Sequence, residues 1–176
     1  MSRAPTQSNT VYNPAFAELN PGEIYTSQVP LQLSIMLLAK QWADCRSKDP
    51  NTKVGAAVYD SESGGIFLGY NGFPSGFPDL KAVWDNRDAT KAHNKYEYVV
   101  HAEVNAIRKA AQLMGNLGGC VLYVTHFPCH RCMKDAIIPS GLRRVIYADS
   151  YPHDDYSVIL AQGCGVDMRQ LQEQVC

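Results

Sequence analysis

Beginning just after Pro30, Leu31, Ile35, Leu38, Ala39 and Trp42 recur at helical spacing, which predicts an amphipathic helix that stops before Asp49-Pro50. The period then shortens. Val54 to Tyr59 and Ile66 to Gly69 are brief apolar runs on either side of Asp60-Ser61-Glu62-Ser63-Gly64-Gly65, the pattern of an antiparallel hairpin. Gly69-Tyr70-Asn71-Gly72-Phe73-Pro74-Ser75-Gly76 is punctuated too densely by Gly and Pro for regular structure. Residues 77 to 97 are polar and include Lys81, Arg87, Lys91, His93 and Lys95. Such a charge mixture suits a solvated surface, whereas its length inside a compact domain is typical of a functional loop.

Helical periodicity returns with Val100, Val104, Ile107 and Ala111 on one expected face. Val121-Leu122-Tyr123-Val124-Thr125 is nearly continuous in apolar residues, as a strand buried on both faces should be. A second helix is expected from Cys129 through Ala136, Ile137 and Ile138, ending at Pro139 and Gly141. Val145 to Ala148 predicts a strand, residues 155–163 a shorter helix, and the stretch near Val166 a last strand. Helix, hairpin, then repeated helix–strand units imply an α/β fold, a three-layer α/β/α sandwich around a central mixed sheet. Residues 1–28 carry Pro5, Pro14 and Pro21 among Ser, Thr, Asn and Gln without a helical period. They are expected to be an irregular arm, packed on a neighbouring subunit or frayed, leaving 29–176 as one domain.

Composition narrows the function classes. The chain has 176 residues, of which 45% are hydrophobic, enough for one domain with its own core. Its formal net charge is −1, whereas a protein that grips a nucleic-acid backbone carries a basic surplus, so no nucleic-acid partner is expected. No apolar run reaches the length of a membrane span, and the first residues lack a basic-then-apolar signal pattern. A cytoplasmic protein without membrane contact is expected. Six cysteines are scattered without framework spacing, and Cys45 and Cys120 lie in apolar surroundings that suit core positions.

The chemistry concentrates in His101-Ala102-Glu103 and Pro128-Cys129-His130-Arg131-Cys132. One imidazole and two thiolates make three zinc ligands, and a catalytic zinc keeps its fourth tetrahedral position for water. Glu103, a carboxylate beside that water and not a ligand, suits proton transfer. Cys129 and Cys132 are neighbours on one helix face, with Pro128 expected in the first turn. Thiolates there gain from the positive end of the helix dipole. His101 and Glu103 point roughly 200° apart around a helix. Both therefore reach one metal only from a helix N-terminus, and two N-termini are expected to converge on the site. Cys-x-x-Cys alone also suits a redox pair or half of a structural zinc site. With His-Ala-Glu upstream, H-x-E … P-C-x-x-C is the known signature of zinc-dependent nucleobase deaminases. Arg131, tethered between the thiols, offers a guanidinium fork that suits a substrate phosphate, or else points outward.

A wider set of segments carries a resemblance. It comprises Arg46-Ser47-Lys48-Asp49-Pro50-Asn51, Val54-Gly55-Ala56, Gly69-Tyr70-Asn71-Gly72, Lys95-Tyr96, Tyr98-Val99, Asn105-Ala106-Ile107, Leu122-Tyr123-Val124, Phe127-Pro128-Cys129, and Ser140-Gly141 leading into Val145-Ile146-Tyr147. Over residues 33 to 150 the chain thereby resembles the deoxycytidylate deaminases of the cytidine deaminase-like superfamily. The resemblance implies hydrolytic deamination of dCMP to dUMP, with Zn2+ on His101, Cys129 and Cys132 and with Glu103 as the catalytic residue. It also implies that Lys48 and Asn51 face the nucleotide, and that Asn71, Gly72 and Lys95 help to bind a regulatory nucleotide together with Mg2+. Activation by dCTP, inhibition by dTTP and a homo-oligomer, a hexamer, follow from the same likeness. Val100, His130-Arg131 and Met133-Lys134-Asp135 depart from the familiar pattern and bear on specificity. A related cytosine nucleotide (dCTP or 5-substituted dCMP) is the alternative substrate, and a tRNA adenosine deaminase-like or riboflavin-pathway enzyme the alternative class.

Overall fold

The structure, a computed structural model, describes residues 29–150 and 153–172. The arm expected over residues 1–28 lies outside the described residues. The first helix, α1 (Leu31–Arg46), leads into the hairpin β1 (Gly55–Tyr59) and β2 (Ile66–Tyr70), whose register sets Tyr59 opposite Ile66. Its turn is held by Asp60, whose carboxylate accepts from the backbone N–H groups of Glu62 and Ser63, both at 3.1 Å. The polar segment that follows contains two short helices, α2 (Lys81–Asp85) and α3 (Lys95–Tyr98). Then come α4 (Ala102–Met114), β3 (Val121–His126), α5 (His130–Cys132, continued by a π-helical turn over Met133–Ile137), β4 (Arg144–Asp149), α6 (Asp155–Gly163) and β5 (Asp167–Gln170).

The sheet order is β2-β1-β3-β4-β5. β1 is antiparallel to both neighbours, and β3, β4 and β5 run parallel, joined by the crossovers through α5 and α6. Alternation along the strands sorts side chains to two faces. Ala57, Val121 and Tyr123 meet Ile35, Met36 and Ala39 of α1. Ala56, Val58, Leu122, Val124 and Val145 meet Ala102, Ala106, Ile107 and Ala110 of α4, Met133 and Ile137 after α5, and Ala161 of α6. The three layers and the mixed sheet match the expected fold class. Among the described residues no helix is long and apolar enough to cross a membrane.

Details of packing differ from the periodicity. On α1 the buried stripe is Ile35, Met36, Ala39 and Ala43, whereas Leu31, Leu38 and Trp42 are exposed. Small residues win because the helix lies close to the hairpin: a Cβ on Gly55 would run into the Ala39 carbonyl. On α4, Ala102, Glu103, Ala106, Ile107 and Ala110 are buried, and Val104 and Ala111 sit at the edge of that stripe. The helix after Cys132 changes register, with the Ile138 N–H donating to the Met133 carbonyl at 3.0 Å, an insertion of the kind found beside functional sites. Pro128 does not open that helix but precedes its N-cap, Cys129. Cys45 is exposed on α1, not in the core, while Cys120 is buried as expected.

Candidate active site

His101 is the N-cap of α4, with extended backbone (φ −71°, ψ 155°), and Cys129 is the N-cap of α5 (φ −74°, ψ 161°). The two helix starts converge. Gly69 makes this approach possible: a Cβ there would collide with the carbonyl of Ala102 and the backbone nitrogen of Ala106, so α4 rests directly on β2. Asn105 fastens the same turn by donating from Nδ2 to the Tyr70 carbonyl at 2.9 Å.

His101 Nδ1 lies 3.5 Å from Cys129 Sγ and 3.2 Å from Cys132 Sγ. All three donor atoms fall within 4.8 Å of one another, the described cluster with the composition of a metal centre. Nitrogen and sulfur ligands of a tetrahedral zinc, with bonds of about 2.0 and 2.3 Å, stand about 3.5 Å apart. The donor set and its spacing therefore fit zinc. Hydrogen bonding to Cys132 pulls the Cys129 thiol down to about 3, and the same contact with burial pushes the Cys132 thiol up. The hydrogen bond to Cys129 also raises the His101 imidazole. Glu103, in the first turn of α4, is only 4% exposed. Burial pushes its carboxyl up against the pull of His101. A carboxyl so placed holds a proton more readily than an exposed one.

These groups face a cavity of about 220 Å³ lined by Glu103, His101, Cys129, Asn71, His126 and Phe127, with Asp49, Lys95, Tyr96 and Arg87 among the rest. One wall is a buried polar network. Lys95 Nζ contacts Asp49 Oδ2 at 2.7 Å, with the two side chains 5% and 2% exposed. Asp49 also accepts from the N–H groups of Asn51 and Thr52 at 2.9 and 3.1 Å. Asn71 donates to the Thr52 carbonyl at 2.9 Å and accepts from Ser47 Oγ and the Val54 N–H at 2.8 and 2.9 Å. On the far side of the metal cluster, Asp154 accepts from both the backbone N–H and the Nδ1 of His130 at 2.8 Å while capping α6 through the Ser157 N–H.

The residues singled out in the sequence are distributed unevenly. His101, Glu103 and Cys129 line the cavity, as do Asn71 and Lys95, and Cys132 closes the cluster from below. Asn71 and Lys95 have their polar atoms bound within the wall, and Gly72 pairs with Val100 as a bridge at 3.1 and 2.8 Å. Lys48 stands outside, exposed, with its ammonium 3.3 Å from Asp79. Asn51 and Arg131 are exposed and do not line the cavity. Sequence reasoning did not single out Asp49 as the partner of Lys95, although both occur in the segments that carried the resemblance.

Residues 31–149 match the family described as the cytidine and deoxycytidylate deaminase zinc-binding region. The deoxycytidylate deaminase of Homo sapiens is 42% identical over 109 residues, which cover 62% of this chain and 60% of that protein. A probable deoxycytidylate deaminase of Drosophila melanogaster is 43% identical over 112 residues, covering 60% and 54%. The chain thus spans little more than half the length of such relatives. Among solved structures, the dCMP deaminase of cyanophage S-TIM5 in complex with dCMP and dUMP aligns with a TM-score of 0.62 at 30% identity, covering 78% of this chain and 94% of that one. The family match runs from the first residue of α1 to the last of β4 and takes in the whole metal cluster. On that extent, the chain belongs to the cytidine and deoxycytidylate deaminase family.

Proposed function

We propose that this chain is a zinc-dependent hydrolase that converts dCMP and water to dUMP and ammonia, breaking the bond from the ring carbon to the exocyclic amine and forming one to oxygen. The observation that carries this is the buried Glu103 carboxyl beside a His101, Cys129 and Cys132 cluster whose donors sit at zinc-ligand spacing. A purely structural metal site has no use for such a carboxyl. Zinc, when bound, supplies Lewis-acid activation of water near neutral pH. His101, Cys129 and Cys132 hold it, and the N-terminus of α4 orients His101. Glu103 accepts a proton at its carboxylate and returns protons to the ring nitrogen and the departing amine. Burial pushes its carboxyl up, which favours its holding the proton it accepts.

The choice of dCMP is supported by the relatives' named substrate and by a neighbour crystallised with dCMP and dUMP. Ammonia release by the zinc-loaded chain is to be measured side by side on dCMP, dCTP, 5-methyl-dCMP, deoxycytidine and single-stranded DNA. Preference for dCMP supports the proposal; preference for dCTP, for the methylated base or for DNA reassigns the substrate. A cytoplasmic site of action accompanies this function. Activation by dCTP with Mg2+, inhibition by dTTP and hexameric assembly belong to it as well, supported by the likeness at Gly69-Tyr70-Asn71-Gly72. Hyperbolic kinetics indifferent to both nucleotides would remove the regulatory part.

A further inference from the structure

The cavity has a polarity of depth. Ala102 and Glu103 at its floor are 0% and 4% exposed, whereas Tyr96 is 44% exposed and Arg87 is exposed at its mouth. A cytosine with its reacting carbon at Glu103 therefore directs its sugar and 5′-phosphate outward, toward Arg87. We infer that Arg87 is the specificity-determining residue that grips the substrate's 5′-phosphate, an inference that rests on the proposed deamination of a nucleotide.

The cations along the wall leave little choice. Lys95 is locked to Asp49 at 2.7 Å in a buried pair, and extracting its ammonium would strand that carboxylate. His101 belongs to the metal cluster, and His126 Nδ1 faces Thr125 Oγ1 at 3.1 Å. The neighbouring lysines of the same segment are also taken: Lys81 by Asp85 and Lys91 by Asp88. Arg87, in contrast, borders the same cavity and has no hydrogen-bond or ion-pair partner among the described residues. A planar fork of N–H donors matches two phosphate oxygens at once.

The segment fixes the backbone from which Arg87 projects. Trp84 stacks on Phe73 with centroids 3.9 Å apart and donates from Nε1 to Asp79 at 3.2 Å. Next to Arg87, the Asn86 carbonyl accepts from the Lys95 N–H at 2.9 Å and its Nδ2 donates to the Ala92 carbonyl at 3.1 Å. The backbone leading into residue 87 is thus fastened twice, at Trp84 to the aromatic cluster and at Asn86 to the buried wall. A backbone anchored before binding leaves only the side chain's own freedom to be lost when the phosphate arrives.

The test compares the full-length zinc-loaded chain with Arg87→Ala, Arg87→Lys and Lys48→Ala. Calorimetric titration with dUMP and with deoxyuridine is run beside turnover of dCMP and deoxycytidine. Arg87→Ala should weaken dUMP binding and lower kcat/KM for dCMP by about 10- to 100-fold, the scale of a charge-assisted contact, with deoxyuridine and deoxycytidine unchanged. Arg87→Lys should recover part of both losses, and Lys48→Ala should leave the phosphate preference as it was. Equal wild-type affinity for dUMP and deoxyuridine, or an Arg87→Ala variant that keeps its dUMP affinity, overturns the assignment. Failure of the wild type to deaminate dCMP while it still prefers dUMP through Arg87 overturns the proposed reaction alone.

Discussion

Replacing Lys95 with Met removes the ammonium from the wall of the cavity and leaves the Asp49 carboxylate 2% exposed without a counter-charge. Three donors remain on Asp49, from the Asn51 and Thr52 N–H groups and, at 3.4 Å, Asn71 Nδ2. Breaking a buried pair on one side costs about 3–5 kcal/mol, and these remaining hydrogen bonds place the expected loss near the lower end. Against a total stability of about 5–15 kcal/mol that is a large share. With a urea dependence of about 2–3 kcal/mol per molar, the unfolding midpoint should fall by about 1 M or slightly more. Burial pushes the Asp49 carboxyl up, and Lys95 with the two backbone donors more than offsets this, holding it below the usual carboxylate value. A group with a depressed folded-state pKa contributes stability above its ordinary value and loses it as pH falls through the folded value. The difference between wild type and Lys95→Met should therefore be complete at neutral pH and narrow below about pH 4 as Asp49 takes up a proton. The double variant Asp49→Asn/Lys95→Met should regain part of the loss. A midpoint shift below about 0.3 M at neutral pH, as for an exposed ion pair, would refute the assignment of this pair to the structural wall.

Glu103→Gln should retain stoichiometric zinc by metal analysis while losing turnover by about 10²- to 10⁴-fold or more, and loss of zinc in that variant would make Glu103 a ligand. Cys132→Ala should instead lose the metal itself, read by the same analysis before any activity is measured. Gly69→Ala should cost about 1–3 kcal/mol, toward the upper end because backbone atoms of α4 stand in the way, and should lower the melting temperature by several degrees. An unchanged melting temperature would show that α4 can lift from β2 without penalty.

Much of the site was legible because its chemistry is encoded over short distances. Cys129 and Cys132 need only one helical turn to share a ligand position, and His101 and Glu103 need only the start of a helix. The convergence of two helix starts followed from that geometry and is what the structure shows. The hairpin was equally local, since a turn-rich break between two apolar runs specifies its own pairing.

What the chain could not show by itself depends on partners remote in sequence. Leu31, Leu38 and Trp42 carry as strong an apolar signal as Ile35 and Ala39, but only the close approach of the hairpin, at Gly55, selects the small-residue stripe for burial. The thiol of Cys45 lies on the side of α1 left outside. Lys95 and Asp49 are separated by 46 positions, so their pairing arises only once the sheet has brought α3 beside the loop after α1. The same assembly leaves Lys48 facing Asp79 and Arg131 facing solvent, and it turns Arg87 toward the cavity. Spacing along the chain determined the metal chemistry, because the two thiols share one helical turn and the imidazole and carboxylate share one helix start. Tertiary structure decided which cations face the cavity, because long side chains go where the fold leaves room and opposite charge.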